Sequence, residues 1–103
     1  MAKQVWIGLV GVTPVSGKQI LGDAKGAFVN ALALVVDEAE YKHEVQEALH
    51  NLGLVAYEFE DVEAFRERVE KWCVDEEMQL LAEEVSVTGK VRFGIFHNYL
   101  SVE

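Results

Sequence analysis

The sequence predicts one α+β domain over residues 1–103: a single four-stranded sheet, in the chain order β-β-α-β-α-α-β, with helices packed on one face. Two long apolar runs near the N-terminus are typical of buried strands. Acidic residues then stand at the starts of three amphipathic segments, where they complement the dipole of a helix N-terminus. The chain has 103 residues, which is the size of one domain, and no repeat or linker divides it.

The first two strands are predicted at residues 4–12 and 27–36, joined by a loop with glycine and proline over residues 13–26. Both runs carry apolar side chains on both alternating faces, which predicts strands buried on both faces and not strands with one solvent-exposed face. A helix is the alternative for 27–36, because its apolar residues also fit a 3.6-residue period. The strand is favoured because Asp37 and Glu40 follow it as a capping-box pair, which marks a helix start.

Three helices and two further strands follow. The first helix is predicted over residues 38–52, ended by Gly53 in the left-handed conformation. Residues 54–60 place their glutamates on one alternating face, which predicts a strand with one solvent-exposed face. Asp61 and then Asp75 are expected to cap a second and a third helix. The apolar stripes predicted for the three helices are Tyr41, Val45, Ala48, Leu49 and Leu52; Val62, Phe65, Val69, Trp72 and Cys73; and Met78, Leu81, Ala82 and Val85.

The last strand is predicted over residues 91–100. The resulting layout, one sheet with a helical layer, is similar to ferredoxin-like domains in gross arrangement only. No motif carries that similarity, so it implies a fold and no activity.

The net charge of −9 is concentrated in the middle of the chain. Residues 37–84 hold sixteen acidic residues against four basic ones, a net −12, while residues 1–36 carry +2 and residues 85–103 carry +1. Such a segment repels a phosphate backbone, so we expect no nucleic-acid partner. Helix capping explains part of the acidity, but not the glutamates that lie between the caps.

The loop after the first strand invites comparison with a phosphate-binding P-loop, because it contains Gly11 and the pair Gly17-Lys18. That motif requires four residues between its first glycine and the Gly-Lys pair, followed by Ser or Thr. Here five residues intervene and Gln19 follows, so we interpret the stretch as a plain connection. We expect no cofactor, and the sequence indicates no catalytic residue.

His43, Glu47 and His50 are spaced to lie on one face of the first helix, within reach of one metal ion. A structural zinc normally takes four ligands, and this face is opposite the apolar stripe, so we interpret it as a solvated surface without metal. Cys73, the only cysteine, has no activating neighbour in the sequence and is interpreted as a core residue.

A ligand site on the sheet is the other candidate. Five residues are expected to line it: Trp6, Tyr57, Arg92, His97 and Tyr99. His97 and Tyr99 share one face of the last strand, and imidazole, phenol and guanidinium groups can bind a ligand or transfer a proton. No second chemical group at fixed spacing supports catalysis, so the sequence does not decide whether the protein is an enzyme.

Two functions follow from these patterns. The first is a non-catalytic binding protein, of an inhibitor or immunity type, whose acidic helical face meets a basic protein partner. The second is a dimeric small-molecule-binding protein or small enzyme, because strands that are apolar on both faces leave one face for a second copy. We expect a homodimer through the sheet face, and a cytoplasmic location because there is a single cysteine. The N-terminal apolar run is too short to span a bilayer, so no membrane association is expected.

Overall fold

The structure is a computed structural model, and it describes residues 2–14, 26–71, 74–94 and 97–99. The elements in this part of the chain are β1 Gln4–Pro14, β2 Gly26–Val35, α1 Glu38–Asn51, β3 Leu54–Ala64, α2 Phe65–Lys71, α3 Glu76–Thr88, β4 Arg92–Phe93 and β5 His97–Tyr99. Most of the predicted loop, including Gly17 and Lys18, lies outside the described residues, and so does Cys73.

One antiparallel sheet with the order β3-β1-β2-β4 forms the centre of the domain. β1 pairs with β2 in unbroken register from Gln4↔Val35 to Val12↔Ala27. β4 and β5 both pair with β2, and together they take the fourth position, where the sequence predicts one strand. The α+β class and the single four-stranded sheet are therefore confirmed, and the second apolar run is a strand and not a helix.

β1 and β2 bury apolar side chains on both faces of the sheet. On the first face, Val10 and Val29 pack with α1 around Tyr41. On the second face, Ile7 and Leu32 pack with α3. Because neighbouring residues of a strand point to opposite faces, α1 and α3 lie on opposite sides of the sheet. The doubly apolar pattern of β1 and β2 is thus satisfied in part within the chain itself.

The helix ends follow the predicted capping signals. Asp37 Oδ1 accepts a hydrogen bond from the Glu40 backbone N–H at 2.9 Å. At the other end of α1, Gly53 has a φ of 80° and its N–H donates to His50 O at 3.0 Å. Asp75 caps α3 as Asp37 caps α1. Each cap satisfies backbone groups that a helix end leaves unpaired.

Tyr41 attaches α1 to the sheet. Its side chain is fully buried, and its hydroxyl donates a hydrogen bond to Ala31 O at 2.8 Å. The hydroxyl passes over Gly8, where an added Cβ would lie 2.9 Å from Tyr41 Oη and from Val62 Cγ2. Burial raises the pKa of the Tyr41 phenol, so the hydroxyl keeps its proton and remains a donor.

The second helix does not begin at Asp61, and the prediction that Asp61 caps it is wrong. β3 continues to Ala64, because Trp6 and Ile7 of β1 pair with Ala64 and Glu63. Asp61 instead has a φ of 52°, at a register shift between the two strands. Asp tolerates this left-handed conformation better than most residues do. Pairing with a neighbouring strand outweighs the local capping preference here.

α2 is consequently short, and none of its side chains is buried. Val69, which the sequence places in an apolar stripe, is 44% exposed. The apolar stripe predicted for α1 agrees better with the structure than that of α2. Tyr41, Val45 and Leu49 are fully buried, and only the last member of the stripe, Leu52, is largely exposed. The contact of α1 with the first face of the sheet therefore contributes more to the core than α2 does.

Replacing Gly8 with Ala is expected to destabilise the domain by about 1–3 kcal/mol, the range typical of overpacked cores, because the new methyl group would displace Tyr41 or Val62. Gly94→Ala is the matched control, since the atom nearest to its added Cβ would lie at an ordinary 3.6 Å. Chemical denaturation measures the free energy of unfolding of both variants. Equal stability of the two would contradict the fitted contact between Tyr41 and β1.

Candidate functional site

Glu58 and Glu60, which we call the acidic edge, are exposed carboxylates on the edge strand β3. They pair across to Gly11 and Leu9 of β1, which places both on the second face of the sheet. The Glu58 carboxyl group hydrogen-bonds to that of Glu60 and also repels its charge, and these effects raise the pKa of Glu60. Two acidic side chains therefore lie on one face of the same edge strand.

An aromatic pair borders the acidic edge. The Tyr57 ring lies over Gly11, where an added Cβ would be 2.7 Å from Tyr57 Cζ. Its ring centroid is 6.3 Å from that of Phe28, in an edge-to-face arrangement. Tyr57 is nevertheless 48% exposed. This face of the sheet therefore has an aromatic centre with a negative border.

Several basic side chains pair with carboxylates elsewhere in the domain. Lys42 Nζ lies 3.0 Å from Glu38 Oε2, and Arg92 Nε lies 2.9 Å from Glu84 Oε1. Neither member of the acidic edge forms an ion pair with any residue that the structure describes. The negative charge of the acidic edge is therefore not compensated within the described chain.

Glu63 lies at the end of β3 and holds α2 against it. Arg68 Nε donates to Glu63 Oε2 at 2.5 Å, and Lys71 Nζ lies 2.7 Å from Glu63 Oε1. Arg68 Nη2 also donates to Asp61 O at 2.7 Å. The hydrogen bonds from Lys71 and Arg68 lower the pKa of the Glu63 carboxyl. Because both of its oxygens are occupied, this carboxylate serves structure and not acid–base chemistry.

An open cleft of about 750 Å³ lies next to this network. Acidic residues line it from the start of α1, from β3, from α2 and from the cap of α3. The residues that line it include the acidic residues Glu38, Asp61, Glu67 and Asp75 and the apolar residues Trp6 and Met78. Acidic groups from four separate segments therefore converge on one concave surface.

His43, Glu47 and His50 line a groove of about 510 Å³ between α1 and the start of β3. His43 Nε2 lies 3.7 Å from Glu47 Oε1. The structure adds Glu44, whose carboxylate lies within 4.8 Å of the ligand atoms of His43 and Glu47. These groups are exposed, and exposed carboxylates of this kind are common without a bound ion. A tetrahedral metal site needs four ligands, and these residues supply three.

The five candidate ligand-binding residues are not brought together, as far as the structure describes them. Trp6 lines the cleft, Tyr57 lies on β3 at one edge of the sheet, and Arg92 is paired with α3 from β4 at the opposite edge. The backbones of His97 and Tyr99 lie in β5, beside β2. Their side chains lie outside the described part of the chain.

The sequence does not predict the acidic edge or the cleft as sites. One signal was present for the acidic edge, because the alternation over residues 54–60 places Glu58 and Glu60 on the same side of a strand. The cleft has no comparable signal. Its carboxylates come from distant segments, and Asp61 reaches it only because β3 continues past the point where the sequence predicts a helix.

Comparison with protein families, with curated proteins and with solved structures gives no match to this chain. Among the described helices, none is long and apolar enough to cross a bilayer.

Lys71→Met is expected to lower the stability near neutral pH, and its difference from the wild type should shrink as the pH falls. The folded-state pKa of Glu63 is held below its unfolded value of roughly 4.3, chiefly by Lys71. The stabilisation is therefore present above the unfolded pKa and is lost as the pH falls through the folded pKa. Urea denaturation over a series of acidic pH values measures this difference.

Lys90→Met is the control for this series, because Lys90 is exposed and forms no ion pair with another described residue. It removes the same charge without affecting Glu63. A stability difference for Lys71→Met that stays constant with pH, like that of the control, would show that the Lys71 contact with Glu63 contributes nothing.

Proposed function

We propose that this chain is a non-catalytic binding protein, of an inhibitor or immunity type, for a basic protein partner that docks on the acidic edge. One observation carries the proposal: Glu58 and Glu60 are exposed on one face of the edge strand β3, and neither forms an ion pair with a described residue. Hydrogen bonding to Glu58 and the charge of Glu58 raise the pKa of Glu60, which disfavours the ionised state of Glu60. A cationic side chain from a partner would relieve that repulsion.

Solubility is the main rival explanation of the acidic surface. Solubility needs only a net charge that is spread over the surface, and it does not require two unpaired carboxylates on one face of an edge strand beside an exposed aromatic ring. Protection of the edge strand is another explanation, because charged side chains deter pairing between the sheet edges of two copies. Protection and partner binding are compatible, since carboxylates that repel an acidic second copy still admit a basic partner.

Tyr57 supplies the apolar part of the proposed docking surface. Aromatic residues are frequent anchors at the centres of interfaces, and Tyr57 is half exposed beside the acidic edge. Complementary charge around such an anchor speeds association and rejects wrong partners. The surface therefore suits a partner that presents a basic border around an apolar contact.

Neutralising the acidic edge, as Glu58→Gln with Glu60→Gln, is expected to slow association with the basic partner about tenfold or more at low salt, within the range of electrostatic steering. The variant should be as stable as the wild type or more stable, because a repulsion is removed. Glu44→Gln with Glu83→Gln is the control, since it removes the same charge from exposed sites on α1 and α3.

The partner is first isolated by capture on the immobilised protein at low salt, and association rates are then measured with the purified partner. Salt should slow association of the wild type, because exposed charges are screened beyond about 8 Å at physiological ionic strength. An association rate that does not change with salt would contradict the proposal. So would an equal loss of rate in the two double variants.

A homodimer through the second face of the sheet is the other candidate, and with it a small-molecule site closed by the second copy. The aromatic pair supports it, because α3 covers only the other end of this face, around Ile7 and Leu32. Tyr57, at the uncovered end, is half exposed. The acidic edge opposes it, since a dimer through this face would bring two acidic edges to one interface. A basic partner therefore ranks first.

The two candidates are expected to depend on salt in opposite directions. Salt should weaken a complex with a basic partner, but it should strengthen a dimer whose acidic edges repel each other. Light scattering of the purified protein over a range of salt concentrations measures the dimer. Tyr57→Ala should weaken it, whereas Val87→Ala, at a site on α3 that is 82% exposed, should not. A protein that stays monomeric at high salt would exclude the dimer.

A cytoplasmic location remains part of the proposal. Cys73 is the single cysteine of the chain, so no disulfide can form within it, as is usual for proteins of reducing compartments. Cell fractionation tests this, and recovery of the protein outside the cytoplasmic fraction would contradict it.

A further inference from the structure

The second helix, α2, is the least buried of the three helices in the described part of the chain. None of the side chains of Phe65–Lys71 is buried, whereas α1 and α3 each bury apolar residues against the sheet. A helix as short as α2 is unstable in water without tertiary contacts. The contacts that hold α2 on the sheet therefore decide whether it stays folded.

Two kinds of contact hold α2. At its first position, the half-buried Phe65 packs against the apolar cluster on the second face of the sheet. Towards its other end, Arg68 and Lys71 both contact the carboxylate of Glu63. The side chains of Glu63 and Arg68 are only 15% and 16% exposed. An apolar contact thus anchors the start of α2, and a partly buried charge network anchors its end.

The charge network depends on a single carboxylate. Hydrogen bonds from Lys71 and Arg68 lower the pKa of Glu63, so the contribution of the network is present above the unfolded pKa and is lost as the pH falls through the folded pKa. Protonation of Glu63 leaves the guanidinium group of Arg68 largely buried without its counter-charge. Such a group is destabilising unless it reaches water.

We propose that α2 opens from the sheet as a local unit when Glu63 is neutralised, while the sheet, α1 and α3 stay folded. The end of α2 then carries Arg68 into water, and Phe65 is the hinge. Proteins open in contiguous units of different stability, and the core around Tyr41 contains no residue of α2. Because α2 forms one wall of the cleft, its opening also exposes Ile7, which lines the cleft and is otherwise buried.

Besides the two cations of α2, the charged residues that surround Glu63 in the described structure are acidic. Glu67 of α2, Asp61 of β3, Glu38 of α1 and Asp75 at the cap of α3 line the same cleft, and β1 contributes no charged residue to it. Asp75 also loses its charge in acid, which weakens the cap of α3. A response to pH alone therefore does not identify Glu63, and the test must neutralise Glu63 at constant pH.

This inference goes beyond the proposed function, because α2 and the acidic edge have no residue in common. A helix that does not open leaves the partner proposal intact, and the absence of a basic partner leaves the opening of α2 intact.

Amide hydrogen exchange, measured residue by residue by NMR at neutral pH, tests the proposal. Glu63→Gln removes the charge and keeps the size of the side chain. It is expected to lower the protection of the amides of residues 69–71 about tenfold or more, as the loss of charge-assisted hydrogen bonds implies. These amides donate within α2 by helical geometry. Protection in α1 and β2 should change by less than about twofold, because those elements stay folded.

Glu70→Gln is the matched control, since Glu70 is exposed on α2 and forms no ion pair with another described residue. It removes the same charge from the same helix and should change the protection of α2 by less than about twofold. Acidification should lower the protection of α2 in the wild type, after correction for the intrinsic rate of exchange. The Glu63→Gln variant should respond less to acid than the wild type does.

Unchanged protection of α2 in Glu63→Gln would overturn the proposal, because the charge of Glu63 would then not hold the helix. An equal fall of protection in α1 and β2 would also overturn it, since α2 would open only with the whole domain. Amides of residues 69–71 that are unprotected in the wild type would show that α2 is not held at all. If circular dichroism shows that Glu63→Gln does not fold, Lys71→Met is measured in its place, and the same outcomes decide.

Discussion

The contact between Tyr41 and the sheet at Gly8 is the constraint on which the rest of the domain depends. The phenol hydroxyl reaches Ala31 O only because β1 carries no side chain at that position. This contact orients α1 on the first face of the sheet. Val62 of β3 packs into the same gap, so one missing side chain on β1 accommodates both a helix anchor and the irregular part of the edge strand.

The irregular course of β3 creates both candidate surfaces. Its register against β1 shifts near Tyr57 and again near Asp61. Such bulges bend a strand and redirect its side chains, and they are frequent at sheet edges and near functional sites. Here the first shift accompanies the Tyr57 ring lying over Gly11, beside the acidic edge. The second accompanies Asp61 at the border of the cleft, next to the Arg68 contact that holds α2.

Electrostatics separate the structural acids from the candidate functional ones. Asp37 and Asp75 cap helices, so backbone N–H groups compensate their charge. On β3, two carboxylates have pKa values that shift in opposite directions: that of Glu63 is lowered by Lys71 and Arg68, and that of Glu60 is raised by Glu58. The lowered pKa belongs to a carboxylate with cations of the same chain beside it, and the raised pKa belongs to one beside another carboxyl group.

Local signals in the sequence determined β1, β2, α1 and the cap of α3, because apolar runs and side-chain caps act over a few residues. The alternation around Glu58 and Glu60 likewise placed them on one side of a strand. Only the tertiary structure decided that β3 runs past Asp61, that α3 covers part of the second face, and that Asp61, Glu67 and Asp75 meet at one cleft. The physical reason is that strand pairing, register and helix packing depend on residues far apart in the chain. The free energy that these contacts contribute together exceeds the local preference of a single capping residue.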